Sequence, residues 1–195
     1  MNNELKIVTD VDDTIMAAAD VLQQFIEDEF GLFSSERLKN HHNIPKLFNL
    51  SFEKTLEVVT AFHRSHWMDK IPPLPCAAIV LPELYQAGYR FVAITACLNE
   101  PAVVEGRRKN LQDAFGFEWE SVDCIGLNPS KEEALKRYTP SIWVDDLAHH
   151  ASVGAELGYK SFLINKQYNQ GDTHSNVIRV NDWHDIKRII ETVNE

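Results

Sequence analysis

Beyond residue 75 the chain alternates short apolar runs with amphipathic segments, and this alternation constrains the fold more than any other feature of the sequence. Several runs are continuously apolar, which is typical of parallel strands that are buried on both faces. We therefore predict an α/β protein with a Rossmann-like parallel sheet and helices on both faces. The predicted strands are residues 5–9, 89–94, 122–125, 142–144, 161–164 and 177–180, and the predicted helices beyond residue 75 are 77–87, 101–115, 131–138, 148–157 and 182–193.

The segment between the first strand and this alternation has a different character, because it contains helical patterns and no predicted strand. Apolar residues spaced for one helical face predict helices over residues 17–30 and 51–68, and Gly31 ends the first of them. We interpret residues 17–72 as a small α-helical cap, inserted after the first strand into a core of residues 1–16 and 73–195. The alternative is that these helices pack on the sheet as part of the core.

Net charge, hydrophobic patterning and the cysteines indicate which partners and which cell compartment to expect. The chain carries a formal net charge of −10, so it repels polyanions on average and a nucleic-acid partner is not expected. It begins without a signal-peptide pattern and has no apolar run long enough to span a bilayer, so no membrane partner is expected. The three cysteines show no metal-binding spacing, which indicates reduced thiols in a cytoplasmic protein.

Acidic residues follow two of the predicted strands. Asp10, Asp12 and Asp13 come directly after the first strand, and Asp145 and Asp146 follow the fourth. The carboxyl ends of parallel strands meet at one edge of the sheet, so these carboxylates should converge. Their mutual repulsion requires a cation or protons, and hard oxygen ligands suit Mg²⁺. The alternatives are a solvated acidic turn, or Asp12 or Asp13 as the cap of the following helix.

Two further residues complete a set that suits phosphoryl transfer. Thr95 follows the second predicted strand, and Lys131 opens the helix after the third. A magnesium ion beside a carboxylate, a hydroxyl and a lysine stabilises the charge on a transferred phosphoryl group, which is most of the catalytic task in such reactions.

Taken in order, these residues resemble the four short motifs of the haloacid dehalogenase-like (HAD) hydrolase superfamily, phosphatase type. Residues 7–14, an apolar strand followed by Asp-x-Asp-x-Thr, resemble the first motif, and Ile94-Thr95 resembles the second. Lys131 fits the third motif, and Asp145-Asp146 fits the fourth. The resemblance covers the predicted core and leaves the cap segment unassigned. It implies a magnesium-dependent phosphomonoester hydrolase that works through an aspartyl-phosphate.

The resemblance assigns roles to the motif residues. It implies that Asp10 attacks phosphorus, and that Asp12 protonates the leaving oxygen and then deprotonates the attacking water. Thr95 and Lys131 would bind the phosphoryl oxygens. The ligands of Mg²⁺ would be Asp10, the backbone carbonyl of Asp12, and Asp145.

Three neighbouring residues have supporting or open roles. Asp146 is expected to act through a water or to orient the site, and Thr14 is expected to brace the turn rather than touch the substrate. Asp13 stands where the family more commonly has glycine. We therefore expect an unusual backbone conformation at Asp13, which aspartate tolerates better than most residues, and its role is open.

Substrate specificity is expected to come from the cap. His63, Arg64 and Trp67, near its end, are the candidates, and the alternative is that this segment packs the core of the cap. We expect a small phosphorylated substrate. A nucleotide 5′-phosphate is one candidate, because the order of elements loosely resembles the nucleotide 5′-phosphatases.

Three other functions share this fold and are kept as alternatives. A phosphonatase would need a cap lysine for a Schiff base, and the cap offers Lys39, Lys46, Lys54 and Lys70. A polynucleotide end-phosphatase would have the same motifs, although the acidic net charge counts against it. A catalytically idle binding or scaffold protein would keep the fold, but the complete set of motifs speaks against it.

Overall fold

The computed structural model describes residues 5–127 and 130–192, and its strands form one six-stranded parallel sheet in the order β3-β2-β1-β4-β5-β6. Helices pack on this sheet, so the prediction of an α/β Rossmann-like fold is confirmed. The strands are β1 (Lys6–Thr9), β2 (Arg90–Thr95), β3 (Ser121–Cys124), β4 (Ile142–Asp145), β5 (Lys160–Ile164) and β6 (Ile178–Val180).

The helices of the described residues account for most of the remaining chain. Two of them end at a glycine in the left-handed conformation, Gly31 with φ 64° and Gly116 with φ 72°, as glycine permits without strain. They are α1 (Ala18–Phe30), α2 (Leu38–His41), α3 (Ile44–Phe48), α4 (Phe52–His63), α5 (Pro75–Gln86), α6 (Pro101–Phe115), α7 (Glu132–Leu135), α8 (Ala148–Glu156) and α9 (Trp183–Thr192), with 3-10 helices at His66–Lys70 and Gln167–Asn169.

The central strands are buried on both faces, which explains their continuous apolar runs. Neighbouring residues of a strand point to opposite faces, and Ile7 and Val8 of β1 accordingly belong to two different apolar clusters. On β4, Val144 joins the cluster of Ile7, and Trp143 joins that of Val8. All four side chains are fully buried. The core therefore has two apolar layers, one on each side of the sheet.

Residues 17–72, all of them described, form helices and contribute no strand to the sheet. The chain enters and leaves this segment through two adjacent stretches. The amide of Ala17 donates to the carbonyl of Pro72, and the amide of Leu74 donates to the carbonyl of Ile15, both at 2.8 Å. Apolar residues of the segment, such as Phe62, belong to the same buried cluster as one face of the sheet. The division into core and cap stays a prediction.

Some elements differ from their predicted bounds. The predicted helix over residues 51–68 is two helices, because α4 ends at His63 and the Ser65 hydroxyl then caps the 3-10 helix by accepting from the amide of Trp67. The short helices α2 and α3 were not predicted. Residues 1–4 and 193–195, which belong to the predicted core and include the predicted end of the last helix, lie outside the described residues. Within the described part of the chain, no helix has the length and apolar character needed to cross a membrane.

Candidate active site

Strands β1 and β4 lie side by side in the sheet, and this pairing brings the two acidic motifs together. The amide of Asp10 donates to the carbonyl of Val144 at 2.9 Å, so the strands are still paired where the carboxylates begin. Asp10, Asp145 and Asp146 are all buried, and one carboxylate oxygen from each lies within 4.8 Å of the others. The acidic residues that follow the two strands therefore form one cluster.

Lys131, which immediately precedes α7, binds both acidic motifs. Its Nζ donates to Oδ1 of Asp10 at 2.5 Å and to Oδ2 of Asp145 at 2.8 Å. Burial by itself lowers the pKa of Lys131, but the two carboxylates outweigh burial and raise this pKa above its ordinary value. The Trp143 ring, with its centroid 5.4 Å from Nζ, adds a cation–π contact. Lys131 is thus held in its charged form at the centre of the cluster.

One ammonium group does not balance three buried carboxylates. Burial, together with the charge of Asp10, raises the pKa of Asp145 to about 6 although Lys131 opposes this shift. Burial and the charges of Asp10 and Asp145 raise the pKa of Asp146 to about 7. Both shifts reflect the free-energy cost of holding like charges together away from water. A divalent cation removes that cost, and the donor set consists of hard oxygens, so these residues fit Mg²⁺.

The carboxylate of Asp12 has different partners. It accepts two hydrogen bonds from Nη2 of Arg107, at 2.9 and 3.1 Å, and one from Oγ1 of Thr95 at 3.4 Å. Thr95 is fully buried at the end of β2. The hydroxyl predicted to bind phosphate is therefore bonded to the predicted acid–base residue, and the phosphate-binding role of Thr95 stays a prediction.

Arg107 was not predicted from the sequence. It lies on α6 with a side chain that is fully shielded from solvent, and Asp12 is its carboxylate partner. The signal that identifies it is the spacing of four residues along α6, which places Arg107 on the same helical face as Val103, Leu111 and Phe115. That face is buried, and a buried arginine requires an anionic partner.

Asp13 has the unusual backbone conformation that its position led us to expect, with φ 59° in the left-handed region. Its Oδ1 accepts a hydrogen bond from the amide of Ala19 at 3.1 Å, in the first turn of α1. Asp13 thus satisfies one of the free amides in the first turn of α1, although Ala17 and not Asp13 holds the N-cap position. Burial and the charge of Asp146 raise the pKa of Asp13 to about 7.

Asp146 is fixed by three neighbours. Its carboxylate accepts from Oγ1 of Thr14 at 3.2 Å and from the Tyr168 hydroxyl, and its backbone carbonyl accepts from Nδ2 of Asn169 at 2.7 Å. Thr14 is fully buried and braces this residue. Tyr168 and Asn169 were not predicted, because nothing in the sequence around them shows that their 3-10 helix packs beside the acidic cluster.

A cavity of about 360 Å³ connects the acidic cluster with the helices of residues 17–72. Asp10, Asp12, Lys131 and Asp146 line its base. Its opposite wall comes from α1, α2, α3, α4 and the turn between α2 and α3. The lining residues from this wall are Ala18, Ala19, Leu22, Leu38, His42, Asn43, Ile44, Pro45, Val59, Phe62 and His63.

The three specificity candidates have different positions. His63 is buried and lines the cavity. Arg64 is exposed and its guanidinium group binds Glu100, with Nε to Oε2 at 3.1 Å. Trp67 donates from Nε1 to Glu29 at 3.1 Å and packs against the apolar cluster. Of the three, His63 is thus the residue that the structure brings to the cavity.

Comparison with known proteins finds two relatives by sequence. No protein-family model matches the chain. An uncharacterised 32.4 kDa protein of Enterobacteria phage T4 is 30% identical over 116 residues, which are 57% of this chain, and the match spans only 41% of that relative's length. The Bacillus subtilis protein named "Putative nucleotidase YqfW" is 26% identical over 192 residues, covering 92% of this chain and 90% of the relative.

The solved structures define the class of fold. A haloacid dehalogenase-like hydrolase from Streptococcus pneumoniae superposes with a TM-score of 0.65 and 17% sequence identity, covering 97% of this chain and 100% of its own. The chain therefore has the fold of the HAD-like hydrolases, and the resemblance drawn from the four motifs is confirmed at the level of the fold.

Proposed function

We propose that the chain is a magnesium-dependent phosphomonoester hydrolase that forms an aspartyl-phosphate on Asp10. The observation that carries this proposal is the position of Lys131, whose ammonium group binds Asp10 and Asp145 at the base of a cavity. A phosphate dianion approaches a carboxylate nucleophile only if a cation offsets their repulsion, and Lys131 supplies that cation. The HAD-like fold supports the proposal.

The reaction divides between Asp10 and Asp12. A carboxylate oxygen of Asp10 bonds to phosphorus, the bond from phosphorus to the leaving oxygen breaks, and Asp12 gives its proton to that oxygen. Water then attacks phosphorus and gives a proton to Asp12, and the bond to Asp10 breaks to release phosphate. Both residues line the cavity, and Arg107 and Thr95 hold the Asp12 carboxylate in place.

The metal ligands follow from the acidic cluster. Asp10 and Asp145 would hold Mg²⁺, and Asp146 contributes a third carboxylate close by. The resemblance to the HAD-like hydrolases adds the backbone carbonyl of Asp12 as a further proposed ligand. The bound ion supplies positive charge to the phosphoryl oxygens and to the Asp10 carboxylate. Thr95 and Lys131 are the proposed protein ligands of the same oxygens.

A small phosphorylated metabolite is the proposed substrate. A nucleotide 5′-phosphate remains one candidate, and the word nucleotidase in the name of the Bacillus subtilis relative supports it. A cytoplasmic location stays a prediction.

The phosphonatase alternative gains no support from the cap lysines. None of Lys39, Lys46, Lys54 and Lys70, all of them described, lines the cavity. Lys39 binds Asp20, and Lys54 binds Glu57. A Schiff base to a substrate at Asp10 would require one of these side chains to leave its position.

Replacement of Asp10 tests the proposal. Asp10→Asn should abolish Mg²⁺-dependent hydrolysis of phenyl phosphate while the far-ultraviolet circular dichroism spectrum stays unchanged. Asp113→Asn, which alters an exposed carboxylate bound to Lys109, is the matched control and should keep full activity. Undiminished turnover by Asp10→Asn would contradict the nucleophile assignment. A wild-type protein that hydrolyses no phosphate ester would favour the binding-protein alternative.

A further inference from the structure

The two ends of the cavity differ in chemical character. The base carries the carboxylates and Lys131, whereas the wall from the cap segment is mainly apolar. Leu22 of α1, Leu38 of α2, Ile44 of α3 and Val59 of α4 all line that wall. A phosphate held at the base would place the rest of the substrate against these side chains.

Positive charge in the cavity is confined to the base. Among the described residues that line it, Lys131 is the only lysine or arginine. Its Nζ already donates to Asp10 and Asp145. The acidic residues that fit Mg²⁺ belong to the same cluster. The positive charge available to a substrate therefore serves one phosphate group, at the position where that group reacts.

The arginine and lysine side chains of residues 17–72 that form ion pairs form them outside the cavity lining. Arg37 and Lys39 both bind the carboxylate of Asp20, and neither lines the cavity. Arg64 binds Glu100 and also lies outside the lining. A second anionic group on the substrate would find no cation in the described part of this wall.

The polar groups on the cap side of the cavity are neutral at mildly alkaline pH. His42, Asn43 and His63 line this part, and the ordinary histidine pKa of about 6.5 leaves imidazole uncharged at pH 8. Nδ1 of His63 is buried and has no hydrogen-bond partner among the described residues.

We propose that the site selects phosphate monoesters whose leaving group is uncharged and mainly apolar, and that it rejects leaving groups carrying a second phosphate or a carboxylate. This inference rests on the proposed phosphatase function. A second anion would lie against apolar side chains with less water around it and without an ion-pair partner, and such partial burial of an unpaired charge is costly. The cavity volume of about 360 Å³ is at the lower end for small-molecule sites, so the selected leaving group is also small.

The test compares phenyl phosphate with 4-carboxyphenyl phosphate at pH 8 with Mg²⁺. The two esters have the same ring and the same reacting phosphate, and the second carries one additional negative charge. The expected kcat/KM is at least about tenfold lower for the carboxylated ester, which corresponds to roughly 1.4 kcal/mol of transition-state free energy. Equal kcat/KM values for the two esters would overturn the inference.

A second experiment places a positive charge in the apolar wall of the cavity. Val59 is half-buried on α4 and lines the cavity. Val59→Lys should therefore reduce or reverse the preference for phenyl phosphate over 4-carboxyphenyl phosphate. Val59→Gln adds length without charge and should retain the discrimination. Leu56→Lys puts the same charge on an exposed position of the same helix, and it should also retain the wild-type ratio. An unchanged ratio in Val59→Lys would overturn the inference.

A binding measurement distinguishes failure of this inference from failure of the proposed function. Phenylphosphonate and 4-carboxyphenylphosphonate have no ester bond to hydrolyse, and calorimetry measures their affinity for the wild-type protein with Mg²⁺. Tighter binding of phenylphosphonate supports the inference, even if hydrolysis of the ester is absent and the proposed function fails. Equal affinity, or no binding of either compound, overturns the inference whatever the hydrolysis assay shows.

Discussion

Nη2 of Arg107 donates hydrogen bonds to both carboxylate oxygens of Asp12, at 2.9 and 3.1 Å, from a side chain that is fully shielded from solvent. Nε and Nη1 of the same group have no hydrogen-bond partner among the described residues. A buried guanidinium with one carboxylate partner depends strongly on that partner. Asp12 is therefore both the proposed acid–base residue and the carboxylate that pairs with the buried charge of α6.

This dependence predicts unequal stabilities for two aspartate variants. Asp12→Asn should lower the free energy of unfolding by about 3 kcal/mol, because it leaves Arg107 buried without a charged partner. Asp10→Asn should lower it far less or even raise it, because Lys131 keeps its bond to Asp145 and the loss of the Asp10 charge relieves the repulsion on Asp145 and Asp146. Urea denaturation of the metal-free proteins measures both values. Equal losses in the two variants would contradict the structural role of Asp12.

The contribution of His63 to stability should be lost on the acid side, whereas the raised pKa values of Asp13, Asp145 and Asp146 add stability to the folded protein as the pH falls. Burial lowers the pKa of the His63 side chain to about 4, whereas an unfolded histidine has a pKa of about 6.5. The unfolded state therefore binds protons first as the pH falls. The contribution of the neutral imidazole to the free energy of unfolding is therefore complete above pH 6.5. It decreases as the pH falls to about 4, by at most about 3 kcal/mol in total.

Urea midpoints at pH 7, 5.5 and 4.5 measure this effect. His63→Gln should lose less stability over the interval than the wild-type protein. His66→Gln replaces an exposed histidine of the neighbouring 3-10 helix and serves as the control, with a wild-type pH dependence. If His63→Gln shows the same pH dependence as His66→Gln, the account of His63 is wrong.

Magnesium should stabilise the folded protein through the acidic cluster. A ligand that binds only the folded state raises its stability in proportion to the logarithm of the ligand concentration above Kd. We expect the melting temperature to rise with added Mg²⁺ and to return to its starting value with a chelator. Asp145→Asn should remove this rise, and Asp113→Asn should keep it. A rise of wild-type size in Asp145→Asn would place the metal elsewhere.

Two helical glycines provide a matched test of the packing around Lys131. A Cβ at Gly154 on α8 would lie 2.3 Å from Cδ1 of Trp143, the ring that contacts Lys131, whereas a Cβ at Gly106 on α6 would meet nothing within 4 Å. Gly154→Ala should destabilise the protein by about 1–3 kcal/mol through overpacking. Gly106→Ala should stabilise it by about 0.5–1 kcal/mol, because alanine is the better helix former. Thermal unfolding measures both, and a stabilised Gly154→Ala would contradict the described packing.

The sequence was sufficient to predict the sheet and the placement of the acidic residues. Strands β1 and β4 are buried on both faces, so their apolar runs are unmistakable, and the residues that end parallel strands must converge at one edge. Asp10 and Asp145 are therefore predictable without coordinates. Lys131 is predictable because it stands in order among the four motifs.

The remaining parts of the site depend on tertiary packing that no local pattern reveals. Helices α2 and α3 have four and five residues, too few for a periodic apolar face, yet they supply part of the cavity wall. His42 lies in this region, at the left-handed end of α2. Arg107 shows the opposite case, since it lies within the predicted helix over residues 101–115 but arginine side chains are mostly exposed, so its burial could not be predicted.

The most direct test of the central claim is capture of the covalent intermediate. The wild-type protein is mixed with phenyl phosphate and Mg²⁺, quenched in acid within one turnover, digested and analysed by mass spectrometry. We predict one phosphoryl group on the peptide that contains Asp10, and none in Asp10→Asn treated in the same way. Turnover by the wild-type protein with no phosphoryl group on that peptide, or with the group on another residue, would contradict the assignment of Asp10 as the nucleophile.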